Sequence, residues 1–280
     1  MTLSIDQAIA AAVAGDGDEW TVTVPEEFQG LPGAAHGGSL LGVFDAISRV
    51  HGTRRVGGIY RRRVPLGVPL SLSVCRERGE AAFALRDQRG VLANGTVSVV
   101  SGVDEMSPGP RLPVSRGRPL PISRDCLACG IDNLLGLHVV LGFDDTAVRG
   151  EYEPREVYRR ANGTVSPLAL TTLLDETAFW LGALASGESG MTTDLALTLH
   201  RPAGAHTRLV VSGARADTTP LPSDPRYWRT AATVSDDAGR LIASAVITFV
   251  AVRGAAKKLA LAMMDVNPRD VVHGAFPAYV

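Results

Sequence analysis

Two stretches of this chain carry the same pattern in the same register. GAAHGGSLLGVFDAISRV (33–50) and GTVSPLALTTLLDETAFWLGALA (163–185) both pass from a glycine-containing turn into an apolar stretch with helical periodicity and an acid inside it. Laid on one another from Gly33 and Gly163, they place Asp45 on Asp175 without a gap. Self-similarity at this scale means that one supersecondary unit is built twice, so any fold must accommodate two copies of it. Downstream, VLANGTVSVV (91–100) and LIASAVITFV (241–250) are a second matched pair, with Ala93 over Ala243.

Runs rich in β-branched and aromatic residues, bounded by Gly, Pro and charged turns, predict the strands. In the first half they are 20–24, 56–63, 70–78 and 81–87; in the second, 137–143, 147–152, 191–200, 208–215 and 227–235. Strands that follow one another without alternating helices exclude a doubly wound parallel sheet and give an α+β class, a long helix set among antiparallel strands in each half. A chain of 280 residues holds two units of about 130 to 140, each able to bury a core. The expected division is a first domain over 1–106, a Pro/Arg-rich linker over 107–125, a second domain over 126–253, and 254–280 as a terminal helix (254–264) and a loose tail. AIAAAVAG (8–15) reads as a short helix, because Asp6 and nothing basic precedes it.

A formal net charge of −1 leaves no electrostatic surplus for nucleic acid or an anionic bilayer. No run approaches the roughly 20 apolar residues of a membrane span. Three cysteines, Cys75, Cys126 and Cys129, cannot all pair within the chain, which points to a reducing cytoplasm. Cys126-x-x-Cys129 could be half a zinc site, but no second Cys pair or nearby His pair completes it, so no metal is expected. His138 reads as a strand residue. The insertion 218–228 reads as a pocket border or a surface loop.

The chemistry concentrates at the helix starts. Asp45 lies among Leu40, Leu41, Val43, Phe44 and Ile47, where burying a carboxylate is costly unless it has a partner or a task. Just before that helix, His36-Gly37-Gly38 exposes backbone amides at the positive end of the helix dipole, where a carbonyl oxygen gaining negative charge is stabilised. The seven residues from Gly38 to Asp45 are nearly two turns, so amide donor and acid are expected on one helix face.

At these residues the sequence resembles the hotdog thioesterases of the phenylacetate-degradation type, whose pattern is a Gly/His-Gly-Gly turn with an acid nine residues after the His. His36 and Asp45 keep that spacing, and CLACGIDNLLGL (126–137) is similar to a Cys-x-x-Cys-Gly…Asn…Gly-Leu segment of some members. The resemblance spans both halves and implies a double hotdog: two tandem units, each an antiparallel sheet wrapped around a long helix, paired so that the active site lies between them. It implies an acid from one unit and a Ser or Thr near a strand start from the other, here Thr192 in MTTDLALTLHRP (191–202).

The expected site is therefore His36, Gly37, Gly38, Asp45 and Thr192. A second, degenerate site is expected at Ser166 and Asp175, where Ser166-Pro167-Leu168 replaces His-Gly-Gly and Arg54 or Arg55 stands in for Thr192. The activity implied is hydrolysis of an acyl-CoA or acyl-carrier-protein thioester. It uses no cofactor beyond the coenzyme A moiety of the substrate, in a chain that can associate further into a homo-oligomer. Arg54 and Arg55, with Arg61, Arg62 and Arg63, are candidates for the coenzyme A phosphates, the alternative being a solvated sheet edge. A hydratase or dehydratase on the same fold and a non-catalytic acyl-thioester-binding protein are the rival readings.

Overall fold

The computed structural model describes residues 3–100 and 117–279. In chain order the first half contains α1 (Ile5–Ala12), β1 (Val13–Asp16), β2 (Glu19–Thr23), α2 (Gly37–Ser48), β3 (Arg54–Tyr60), β4 (Pro69–Glu77), β5 (Glu80–Asp87) and β6 (Gly90–Val99). The second contains β7 (Arg118–Pro119), β8 (Gly142–Phe143), β9 (Ala147–Tyr152), α3 (Pro167–Ser186), β10 (Gly190–Leu199), β11 (Leu209–Ala214), β12 (Thr219–Leu221), β13 (Asp224–Asp236), β14 (Leu241–Ala251), α4 (Ala255–Met263) and α5 (Arg269–Ala275).

The strands form one antiparallel sheet whose central path is β2-β4-β5-β6-β3-β10-β14-β13-β11-β9. Read outward from the middle, each half gives the same order: its second strand, then its fifth, fourth, third and first. The repeat seen in the sequence is thus a repeat of topology. The halves join where β3 meets β10, with Leu195 opposite Gly58 and Leu199 opposite Arg54. Because the two equivalent strands pair antiparallel there, an approximate two-fold axis passes between them.

That axis also sets the helices. α2 packs on α3, running antiparallel to it: Gly38 lies against Thr171 and Thr172, and Gly42 against Leu168. A Cβ on Gly42 would come within 2.7 Å of Leu168 side-chain carbons, so the close approach requires glycine there. α3 is 20 residues long and buried around nearly its whole circumference, Trp180 and Leu173 included, and it carries little amphipathic pattern because both halves cover it. It is the one described helix long and apolar enough to cross a membrane, yet 83% of that stretch lies inside the fold.

Local chemistry explains several departures from expectation. α1 starts at Ile5 because Ser4 and Gln7 form a reciprocal capping box, and it ends at Ala12 where the chain turns into β1. Of 137–143, only Gly142–Phe143 pairs as a strand. The preceding residues form an irregular segment tied back to 127–128 by the Leu137 and Val139 amides, and its apolar side chains, Leu127, Leu137, Val139 and Leu141, are buried, which accounts for their strand-like composition. His138 is not a strand residue: its φ is 56° and its Nε2 lies 2.9 Å from the Asn133 carbonyl. The expected loose tail holds α5, with Phe276 buried against Trp180 at a ring separation of 5.8 Å. The insertion at 218–228 is a hairpin of β12 with the start of β13. Of the expected linker, 107–116 lies outside the described residues, and 118–119 pair with β8.

Candidate active site

A cavity of about 220 Å³ opens between the halves, beside the start of α2 and the middle of α3. Its polar end is built around His36 and Gly37, the N-cap and first residue of α2. The amide of Gly37 therefore has no intrahelical acceptor and sits at the positive end of the helix. The Gly38 amide donates across the axis to Asp175 Oδ2 at 2.8 Å, and the same oxygen lies 3.1 Å from Nδ1 of His36. Tyr60 on β3 donates its hydroxyl to the Gly37 carbonyl at 2.6 Å, holding the turn from the opposite side.

Glycine at position 37 is what lets the second half approach so closely. A Cβ there would lie 2.8 Å from Asp175 Oδ2 and 3.0 Å from Thr192 Oγ1, so a carboxylate and a hydroxyl stand directly against the Gly37 backbone at the cavity wall. Asp175 is 4% exposed, and its other oxygen, Oδ1, is buried with no hydrogen-bond partner. A buried carboxylate oxygen left unpaired is costly in a purely structural role.

Electrostatics within the cluster favour charge on His36. Burial alone would push the imidazole down, but the adjacent Asp175 carboxylate, by charge and by hydrogen bond, and Glu176 together raise it well above its ordinary value. Nδ1–H then donates to Asp175, and Nε2 faces Glu176 Oε2 at 3.4 Å. Glu176 is held in turn by Trp180, whose Nε1–H donates to Oε1 at 2.9 Å. Tyr60 stays a neutral phenol, raised by burial and by Asp175. Cys126 and Cys129 also line the cavity. A hydrogen bond from Cys129 holds the Cys126 thiol below its usual range, and Cys129 itself is pushed well above it.

Of the residues expected from sequence, the structure gathers His36, Gly37, Gly38 and Thr192, but not Asp45. Asp45 lies outside the cavity lining and accepts the guanidinium fork of Arg54 on both oxygens, with Nη2–Oδ2 at 2.7 Å. Seven residues along one helix amount to a rise of about 10 Å, too far for one group to act beside the other. The acid that meets the turn is instead on the antiparallel helix: Asp175, expected in the degenerate site, lines the cavity beside His36 and Gly37.

Ser166 lies elsewhere, donating its hydroxyl to Asp6 at 2.8 Å. Neither Arg54 nor Arg55 lines the cavity, whereas Arg62 and Arg63 do. Arg54 is the topological counterpart of Thr192. Arg54 opposes Val99 and Thr192 opposes Phe249, each seven residues past the matched anchors Leu92 and Ile242.

Glu176, Tyr60 and Cys126 were missed as site residues. Two adjacent acids inside an apolar helix, Asp175-Glu176, were the available signal for the first; nothing in the sequence places Tyr60 or Cys126 beside His36.

No family model matches the chain, and no curated protein matches it. Solved structures do. A protein assigned to thioesterase II from Thermobifida fusca YX superimposes with a TM-score of 0.61 at 16% identity, over 88% of this chain and 99% of its own. A conserved protein of unknown function with a hotdog fold from Alicyclobacillus acidocaldarius gives 0.57 at 12%, over 87% and 96%. The dehydratase domain from a module of the curacin polyketide synthase gives 0.53 at 10%, over 85% and 93%. Others also carry the thioesterase name. The likeness establishes the fold: the chain has the hotdog fold, and hotdog thioesterases are among its structural neighbours.

Proposed function

We propose that each half is one hotdog unit, that the chain is a double hotdog, and that it hydrolyses an acyl thioester carried by coenzyme A or an acyl carrier protein. The observation that carries this reading is the Asp175 carboxylate, oriented by the Gly38 amide and His36, with Oδ1 buried and unpartnered and with Oδ2 and Thr192 Oγ1 both against Gly37 at the cavity wall. The thioester carbonyl enters from the cavity beside this cluster, with its oxygen toward the Gly37 amide. Because Gly38 is committed to Asp175, the oxyanion rests on Gly37 and the helix dipole rather than on two amides.

Water bound by Thr192 gives a proton to Asp175 as its oxygen attacks the carbonyl carbon. Collapse of the tetrahedral intermediate breaks the C–S bond, and the thiolate takes the proton held by Asp175 to leave as thiol, which returns Asp175 to its carboxylate form. Phe179, Met191 and Leu259 offer the acyl group an apolar wall, and the solvent-facing Arg63 lies within reach of a charged carrier. Unpaired thiols at all three cysteines accord with a cytoplasmic enzyme. The test is release of free thiol from a panel of acyl-CoAs by the wild-type chain and by Asp175→Asn. Wild-type turnover that persists in Asp175→Asn overturns the site.

One observation favours a second reading. A histidine of one half facing an acid of the other at 3.1 Å is an acid–base pair that could also move a proton on the acyl chain, as a dehydratase must, and a dehydratase domain shares the fold. Hydration of an enoyl-CoA without thiol release selects that reading.

A further inference from the structure

We propose that the polar end of the cavity is also a site for one zinc-class divalent cation, bound by His36 Nε2, Cys126 Sγ and Glu176 Oε2, with its fourth position open to the cavity. Ligand atoms of these three buried side chains lie within 4.8 Å of one another. Imidazole, thiolate and carboxylate are the donor types that zinc takes, and three protein ligands with one open position is the arrangement of reactive rather than purely structural zinc.

The geometry around each ligand points the same way. Nε2 and Oε2 stand 3.4 Å apart, long for a charge-assisted hydrogen bond. That separation matches the edge of a tetrahedron with bonds of about 2.0 to 2.1 Å, which is about 3.4 Å. The outer partners are already placed. Nδ1 of His36 faces the Asp175 carboxylate at 3.1 Å and the Gly38 amide at 3.2 Å, the latter shared with Asp175 Oδ2 at 2.8 Å; with the Nδ1 proton donated to the carboxylate, a carboxylate–histidine pairing leaves the Nε2 lone pair for a metal. Trp180 occupies Oε1 of Glu176 and leaves Oε2 for the ion. The Ala128 amide donates to Cys126 Sγ at 3.3 Å, supporting thiolate character.

Charge balance adds a further reason. Asp175 and Glu176 are both buried, and His36 is the side chain shared between them. Of the arginines lining the cavity, Arg62 pairs with Asp87, Arg124 pairs with Asp132 and Arg63 is exposed. A cation on Nε2 takes the place of the ring's second proton and leaves the Nδ1–Asp175 contact intact. Occupancy is thus compatible with the hydrolytic reading and does not rest on it.

The test is titration of the chelator-stripped full chain with Co²⁺. One equivalent should produce a thiolate-to-cobalt charge-transfer band in the near ultraviolet with intense visible bands of four-coordination, both displaced by Zn²⁺. Cys126→Ser should lose the charge-transfer band, while Cys129→Ser keeps it. Glu176→Gln, checked for folding by circular dichroism, should loosen Co²⁺ at least about tenfold, and Asp175→Asn should do so by about 10- to 100-fold. A wild-type chain with no charge-transfer band overturns the proposal, as does a band that survives Cys126→Ser or depends on Cys129 instead. The spectrum needs no thioester, so a hydrolase that binds no cobalt refutes the metal site alone, and a cobalt-binding chain that cleaves nothing refutes only the hydrolysis.

Discussion

The two ends of the helix pair share the matched acid and differ at the other matched positions of the site. At one, His36-Gly37-Gly38 meets Asp175 and Thr192; at the other, Ser166-Pro167-Leu168 opens the partner helix, and the matching acid and strand position are Asp45 and Arg54. Both acids are buried. Arg54 occupies both oxygens of Asp45, whereas Asp175 uses one oxygen for the Gly38 amide and His36 and keeps the other free. Pro167 has no N–H to offer, and Leu168 puts a side chain against Gly42 where its counterpart Gly38 lets the α2 backbone rest directly on Thr171 and Thr172. The same buried carboxylate is thus ion-paired at one end and keeps an unpartnered oxygen at the other, where Thr192 stands in the strand position that Arg54 holds.

Exchanging the acids is the strongest way to break this comparison. Asp175→Asn should lower kcat/KM for thioester hydrolysis by about 10²- to 10⁴-fold, the usual worth of a general base, with little change in melting temperature. Asp45→Asn should leave turnover within a few-fold and act on stability instead. Arg54 would lose its anionic partner in a largely buried setting, costing up to about 3 kcal/mol and read as a lower Tm. If the kinetic loss falls on Asp45 and the Tm loss on Asp175, the assignment of the two sites is reversed.

A smaller effect tests the close approach at Gly37. Gly37→Ala puts a methyl between Asp175 Oδ2 and Thr192 Oγ1 and should reduce kcat/KM by about 10- to 100-fold; one lost transition-state hydrogen bond already amounts to roughly tenfold. Thr192→Ala should cost about tenfold, while Arg54→Thr, which makes the second site look more like the first, should create no new activity because Pro167 and Leu168 remain. Steady-state thiol release read for these variants sharpens the contrast, and an active Arg54→Thr,Asp175→Asn double variant would break it.

The smallest expected change is in packing. Gly42→Ala should destabilise by about 1 to 3 kcal/mol through overpacking against Leu168. Leu168→Ala should restore part of that loss in the double variant, measured by denaturant unfolding. An absence of coupling would contradict the helix–helix contact described.

Much of the architecture was legible in the chain. The gapless register of Asp45 with Asp175 marked the two stretches that form α2 and α3. The Gly-rich turns marked the helix starts, and β-rich runs marked most strands, because helical and strand periodicities are local properties of consecutive residues. Legibility failed where composition and geometry part company. The buried irregular segment around Leu137 and Val139 has the apolar content of a strand without its ladder, and α5 has too few residues for a pattern, so Phe276 reveals its role only against Trp180.

The candidate site divides in the same way. The sequence by itself determined that an amide-bearing turn at 36–38, a buried acid in each half and a threonine at 192 were available, and that the second turn, with Pro167, had lost a donor. Only the tertiary structure decided which acid serves which turn. Along one helix, Gly38 and Asp45 are held about 10 Å apart by the rise of the backbone, whereas antiparallel packing of α2 on α3 brings Asp175 to 2.8 Å from the Gly38 amide. A repeat read along the chain fixes what is equivalent to what. Which equivalents meet is settled by the axis between the halves, and that axis exists only once β3 and β10 have paired.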